Sequence, residues 1–180
     1  MNADAGREQT LYGIAYAYPI SLGKDAGTQY LPPVIFFTDA IVFGSGFSLP
    51  QRLGGDRHRE HIWTEMNNKI RALIDSVGVK SVTSDQVLGL LLESLPKSHA
   101  VPTSEFIEAR MSRKKGWLNP RVDIRLVEKP RKKHLVKLAY PATQQATSSR
   151  PRQLITLEYS SVDEIAEGMA AAFGNRFRRD

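Results

Sequence analysis

The sequence predicts an α+β protein with a β-rich N-terminal part, a central helical segment and a C-terminal strand and helix. The first evidence is TLYGIAYAYPI, near the N-terminus, where side chains alternate with the period of two that is typical of a β-strand. The second is a series of apolar residues at helical spacing in the middle of the chain. Hydrophobic residues make up 41% of the 180 residues, which is enough apolar material for a folded core.

The first fifty residues are predicted to be mostly β. VIFFTDAIVFGSGF is rich in β-branched and aromatic residues, and Thr38-Asp39 marks a bend or a turn within it. In the preceding strand, Tyr12, Tyr16 and Tyr18 share one face and could stack nucleic-acid bases. Sheet packing is the more ordinary role of such aromatic residues, with Gly13 on the opposite face allowing a helix to pack closely.

Three helices are predicted to follow. The first has Asp56 as its N-cap and ends before Gly78, and the second begins with the capping-box pair Thr83 and Gln86. VKSV, between these two helices, could form a short strand. TSEFIEARMSRKKG is predicted as the third helix, because its acidic residues come early and its basic residues late, as the helix dipole favours.

A β-hairpin is predicted next. In its first strand Val122, Ile124 and Leu126 fill one face, and Arg121, Asp123 and Arg125 fill the other. The predicted order of elements from residue 56 to residue 140 is that of a winged helix. In that topology Ser104–Lys115 would be the recognition helix and Glu128–Lys133 the tip of the wing. In the alternative, the hairpin belongs to one mixed sheet shared with the N-terminal strands.

The C-terminal part is predicted to contain a mobile loop at 141–153, which has no large apolar residue, and then a strand and a helix within 154–180. The helix has a buried stripe of Val162, Ile165, Ala166, Met169 and Phe173. The predicted division is therefore a β-rich part at 1–50, a winged-helix-like basic segment at 56–140, and a C-terminal part that packs on the N-terminal one. All of these parts can belong to one domain.

Positive charge is concentrated between Arg110 and Lys137. This segment holds 11 of the 25 basic residues and two of the 19 acidic residues, so its formal charge is +9 and that of the remaining chain is −3. Segregated charge of this kind produces a local field that attracts a polyanion. We therefore predict contacts with the backbone of a nucleic acid through Arg110, Arg113, Lys114, Lys115, Arg121, Arg125, Lys129, Arg131, Lys132, Lys133 and Lys137. DNA is preferred to RNA only because of the winged-helix topology.

Two other functions remain open. The basic hairpin could dock an acidic protein partner, which would make the chain an interaction subunit. The chain could also be a metal-independent RNA endonuclease with a histidine as general base, and the candidates are His58, His61 and His134. His58 and His61 have the spacing of a metal-binding pair, but the sequence identifies no third ligand for zinc. We therefore expect no metal or cofactor, and binding is expected rather than catalysis.

The sequence also argues against several classes of protein. It contains no cysteine, so disulfides, thiol nucleophiles and cysteine-based zinc sites are absent. The N-terminal residues lack the apolar region of a secretory signal, and no apolar run is long enough to span a bilayer. We expect a soluble, cytoplasmic protein with no membrane partner. Nothing in the sequence indicates an oligomeric state.

Overall fold

The computed structural model describes residues 9–16, 33–45, 55–114, 121–130, 132–139 and 162–180, and over these ranges it shows a mixed α+β fold, as predicted. The described residues form two four-stranded sheets and three α-helices. The predicted loop at 141–153 and the predicted strand LITLEY lie outside the described residues.

The first sheet is an antiparallel meander in the order β1-β2-β3-β4. Its strands are Leu11–Tyr16, Pro33–Phe37, Ala40–Phe43 and His99–Pro102. Thr38 and Asp39 connect β2 and β3, which confirms the predicted turn. The sequence did not predict β4, because its four residues lie in a polar, proline-flanked segment and are extended only through pairing with β3.

The second sheet has the order β7-β6-β5-β8. Its strands are Phe106–Lys114 (β5), Arg121–Glu128 (β6), Lys132–Ala139 (β7) and Phe177–Arg179 (β8). The strands β5, β6 and β7 pair antiparallel, whereas β8 pairs parallel to β5. The predicted hairpin is confirmed as β6 and β7. It pairs with β5 rather than with an N-terminal strand.

The predicted recognition helix at Ser104–Lys115 is wrong, because nearly all of it forms β5. A helix would place Ile107 and Met111 on one face, yet Ile107 is 45% exposed and Met111 is 1% exposed. The strand is held by β6 along one edge and β8 along the other, and this pairing overrides the local charge pattern that favoured a helix. The described residues therefore do not confirm the winged-helix order.

The described helices are α1 (Gly55–Val77), α2 (Ser84–Ser94) and α3 (Val162–Phe173). Gly78 follows α1 with φ of 81°, a backbone conformation that glycine adopts without a steric penalty. The predicted capping box of α2 is present, since the Gln86 amide donates to Thr83 Oγ1 at 3.2 Å and the Thr83 amide donates to Gln86 Oε1 at 3.0 Å. VKSV contains a short 3-10 turn, Val79–Ser81, rather than a strand.

The first sheet is the central layer of the fold, because apolar residues cover both of its faces. On one face, β-strand residues such as Ile35 and Phe37 pack with residues of α1 and α2, including Met66 and Leu91. The opposite face, with Phe36 among its residues, packs against the second sheet and α3. The predicted buried stripe of α3 lies in this core, between the first sheet and the layer formed by the second sheet and α3.

The strand β1 contains a bulge that changes the predicted arrangement of its side chains. The register with β2 shifts between Leu11 and Gly13. As a result, Tyr12 packs with Ala15 on the side of the second sheet and α3, while Leu11 and Ile14 pack on the side of α1 and α2. Tyr12 is buried, which confirms packing rather than base stacking for this residue. The side chain of Tyr16, and all of Tyr18, lie outside the described residues.

Candidate nucleic-acid interface

The two faces of the second sheet differ in polarity. Val122, Ile124 and Leu126 are buried on its inner face, against the first sheet and α3, as predicted for this strand. The intervening Arg125 is exposed on the outer face, and Arg110 is exposed on the neighbouring strand. The alternation of β-strands thus separates a buried apolar face from an outer face that carries exposed arginines, although Asp123 and Val127 on the outer face are themselves buried.

Three arginines lie side by side across the outer face. Arg110 in β5 is the register partner of Arg125 in β6 and also of Arg178 in β8. All three side chains are exposed, and we call them the arginine row. Neighbouring strands are about 4.8 Å apart, so the row crosses roughly 10 Å of the sheet. Like charges that lie directly opposite one another on a sheet repel, so the row is electrostatically unfavourable without anions nearby.

Arg110, the central member of the row, forms a hydrogen-bonded ion pair. Its Nε donates to Oδ2 of Asp180 at 2.5 Å, and this hydrogen bond together with the carboxylate charge raises the pKa of Arg110. Both side chains are about half exposed, at 47% and 43%. The amide of Asp180 donates to the carbonyl of Met111 at 2.9 Å, which continues the pairing of β8 with β5 and fixes the position of Asp180 beside the row.

Other predicted contact residues have different positions. Arg113 is the register partner of the inward-facing Val122, so it lies on the side of the sheet that faces α3. There its charge, after the hydrogen bond and charge of Arg179, also lowers the pKa of Asp163 in the first turn of that helix. Lys129 and Lys133 are exposed at the turn between β6 and β7 and just after it. The side chains of Lys114, Arg121, Lys132 and Lys137, and all of Lys115 and Arg131, lie outside the described residues.

Arg178 was not among the predicted contact residues, and it reaches the row only through the parallel pairing of β8 with β5. The sequence shows no more than a cluster of arginines near residue 178. Its other two members are structural. Arg176 Nη1 donates to the carbonyls of Thr103 and Phe106 at 3.0 and 2.7 Å, and Arg179 pairs with Asp163.

The outer face also carries acidic residues. Asp123 lies between Ser112 and Lys137 in the register and is only 8% exposed, so most of its surface is covered by neighbours. Glu108 is half-buried and close enough to Arg110 to raise the pKa of that guanidinium slightly further. The exposed cations of the row therefore lie beside carboxylates, and the outer face is a surface of mixed charge.

The histidine candidates are not brought together with the arginine row. His134 is the register partner of the inward-facing Leu126, its ring stacks on Phe43 at 4.4 Å between centroids, and its Nε2 lies 2.9 Å from Glu128 Oε2. His61 is exposed on α1, 3.9 Å from Glu65, and the side chain of His58 lies outside the described residues. Among the described residues, no three histidine, cysteine, aspartate or glutamate side chains converge in a way that could hold a metal ion.

Two shallow grooves lie along α1 and α2, lined in part by Lys69 and Ala72, and neither is lined by the arginine row or by His134. None of the helices in the described ranges combines the length and the apolarity needed to cross a bilayer. In comparisons with known proteins, no family model, no curated protein and no solved structure matches the chain significantly.

Proposed function

We propose that the protein binds nucleic acid by contacting phosphates with the outer face of its second sheet. The observation that supports this proposal is the arginine row, in which Arg110, Arg125 and Arg178 are exposed side by side and their charges repel one another except where Asp180 neutralises Arg110. Phosphates of a nucleic-acid backbone would relieve that repulsion. The planar guanidinium also matches a phosphate group geometrically, since it can donate two parallel hydrogen bonds to it.

The proposal does not distinguish DNA from RNA. The expected preference for DNA depended on a recognition helix at Ser104–Lys115, and that segment is largely a strand. Phosphate contacts fix the position of a protein on a nucleic acid but carry no direct sequence information. We therefore expect binding that depends strongly on salt and weakly on sequence.

The RNA endonuclease is less well supported than binding. His134 packs on the inner side of the second sheet, against Phe43, whereas the arginine row lies on the outer side. A general base must come within hydrogen-bonding distance of the proton that it removes, directly or through one water molecule. A backbone held by the arginine row would be separated from the His134 imidazole by the sheet itself. His61, on α1, belongs to the layer beyond the first sheet.

A charge-matched pair of double variants tests the proposal. Arg125→Ala with Arg178→Ala removes two members of the row, and Arg71→Ala with Lys80→Ala removes two exposed cations in and beyond α1. Binding of a labelled DNA duplex and an RNA duplex of equal length is measured by fluorescence anisotropy over a range of salt concentrations. Each phosphate contact contributes about 0.9 to the slope of log K against log salt on DNA, so the row variant should lose up to about 1.8 units of slope.

The control variant should keep the slope of the parent protein, because its cations are remote from the second sheet. Equal losses in the two variants would mean that net charge alone governs binding, and the proposed interface would be wrong. If the parent protein binds neither duplex at low salt, nucleic-acid binding is wrong altogether. The acidic-protein partner would then be the better explanation of the basic segment.

A further inference from the structure

We infer that Asp180 regulates the proposed nucleic-acid interface by occupying Arg110 in the place of a phosphate, so that the ligand must displace an intramolecular carboxylate in order to bind. This inference rests on the proposed function. It goes beyond that function because it assigns a competitive, autoinhibitory role to a residue that would not itself bind the ligand.

The position of Asp180 follows from the alternation along β8. Arg178 is in register with Arg110 on the outer face, Arg179 pairs with Asp163 on the side of α3, and Asp180 contacts Arg110 on the outer face again. Two successive outward-facing residues of this segment thus have opposite charges. One adds a cation to the arginine row, and the other neutralises the central cation of the same row.

The contact can open without any change in the fold. The main chain of Asp180 is held by its hydrogen bond to Met111, but its side chain is 43% exposed and lies at the surface. Exposed side chains change rotamer on a timescale of picoseconds to nanoseconds. The carboxylate can therefore leave Arg110 while β8 remains paired with β5, and the guanidinium then becomes available to another anion.

A carboxylate and a phosphate compete for the same donors. The guanidinium has five N–H donors in a fixed planar arrangement, and Asp180 occupies the one on Nε. A small anion that displaces Asp180 replaces one ion pair by another and gains little. A polyanion that also contacts Arg125 and Arg178 gains further contacts at the same time. The Asp180 contact therefore lowers the affinity of any anion that binds Arg110, and a polyanion offsets this cost with its further contacts.

The chain contains a matched control for this inference. Asp163 forms the same kind of ion pair with Arg179, a residue of the same strand, but on the side of α3. Asp163→Asn and Asp180→Asn change the net charge by the same amount. Asp180→Asn releases a guanidinium on the outer face, whereas Asp163→Asn releases one on the side of α3.

The experiment measures the affinity of the full chain for the DNA duplex at fixed salt, with each substitution made both in the parent protein and in an Arg110→Ala background. In the parent protein, Asp180→Asn should raise the affinity by about two- to fivefold relative to Asp163→Asn, the range expected when a surface ion pair is lost. In the Arg110→Ala background the two substitutions should have the same effect.

Equal affinities of Asp180→Asn and Asp163→Asn in the parent protein would overturn the inference. So would an advantage of Asp180→Asn that persists in the Arg110→Ala background. Both results leave the proposed function intact, provided that Arg125→Ala with Arg178→Ala still weakens binding. A parent protein that binds no duplex would overturn the proposed function and this inference together.

Discussion

Gly168 of α3 lies directly against Tyr12 of β1, and a Cβ atom added at Gly168 would be 2.7 Å from the Cβ of Tyr12. The same approach occurs one residue along the strand, where a Cβ at Gly13 would be 2.6 Å from Cγ1 of Ile165. The helix α3 and the strand β1 therefore each contribute a glycine to their contact, which lets the two elements approach closely. Close packing of a helix on β1 is the role that the sequence suggested for Gly13, although the bulge puts Tyr12 on the same face.

Gly168→Ala should destabilise the protein by about 1–3 kcal/mol, because the added methyl group cannot fit against the Tyr12 ring unless α3 moves. Gly89→Ala is the matched control. Gly89 also lies in a helix, but a Cβ there would meet nothing within 4 Å, so this change should stabilise the protein by about 0.5–1 kcal/mol. Urea unfolding measures both values, and a Gly168→Ala protein as stable as Gly89→Ala would contradict the packing described.

Tyr12→Phe should leave the stability at neutral pH unchanged or increase it. The Tyr12 hydroxyl is buried and has no hydrogen-bond partner among the described residues, so its removal breaks no contact and relieves a desolvation cost of about 1–3 kcal/mol. Thermal unfolding of the two proteins in parallel provides the measurement. A clear loss of stability in the variant would show that the hydroxyl has a partner.

The same residue should make the stability depend on alkaline pH. Burial raises the pKa of Tyr12 above its ordinary value, so in the folded protein the phenol stays protonated where an unfolded tyrosine ionises. The unfolded state therefore binds fewer protons above about pH 10, and the free energy of unfolding should fall as the pH rises further. The free energy of unfolding of the parent protein should therefore fall below that of Tyr12→Phe by a margin that grows over this range. Parallel pH dependences would contradict the burial of the phenol.

The strand assignment of β5 can be tested with two apolar residues. Met111 is 1% exposed in the core and Ile107 is 45% exposed, so Met111→Ala should cost about 2–5 kcal/mol and Ile107→Ala should have only a small effect. A helix over Ser104–Lys115 would place both residues on one face and make both substitutions costly. Denaturant unfolding of the two variants therefore distinguishes the observed strand from the predicted helix.

Arg179→Ala should raise the pKa of Asp163 towards its ordinary value. The hydrogen bond from Arg179 and then its charge hold this pKa down, so the pair contributes stability that is present above the unfolded pKa of about 3.9 and is lost as the pH falls through the lower, folded pKa. NMR titration of the carboxyl measures the change. Arg178→Ala removes the neighbouring cation on the opposite face of the sheet, so it should leave the pKa of Asp163 unchanged.

Elements stabilised by local interactions could be predicted from the sequence. The capping box at Thr83 and Gln86, the turn at Thr38-Asp39 and the β6–β7 hairpin depend on residues that are close together in the chain. The short strands β4 and β8 could not be predicted, because each forms only by pairing with a distant strand. The error at β5 has the same origin, since its partners on both sides outweigh its local pattern.

The candidate interface could be predicted only in part, for the same reason. The alternation of β6 places Arg125 on the outer face, and this follows from the sequence. The sequence cannot show that Arg113 lies towards α3 or that Arg110 has Asp180 as its partner, because both depend on how β5 is placed between β6 and β8. Arg178 joins the row through a pairing between distant parts of the chain. A list of basic residues therefore identified the segment but not the surface.

The central position of the first sheet implies a gradient of resistance to hydrogen–deuterium exchange. The strands β2 and β3 are paired along both edges, and their residues are buried on both faces, so most of their amides should exchange only when the whole molecule opens. The strand β8 has three residues, of which Arg178 and Arg179 are exposed, and it pairs with β5. Detachment of β8 alone would remove Arg178 and Asp180 from the outer face together, so the row would keep Arg110 and Arg125, with Arg110 freed from Asp180, while the buried layers remain folded.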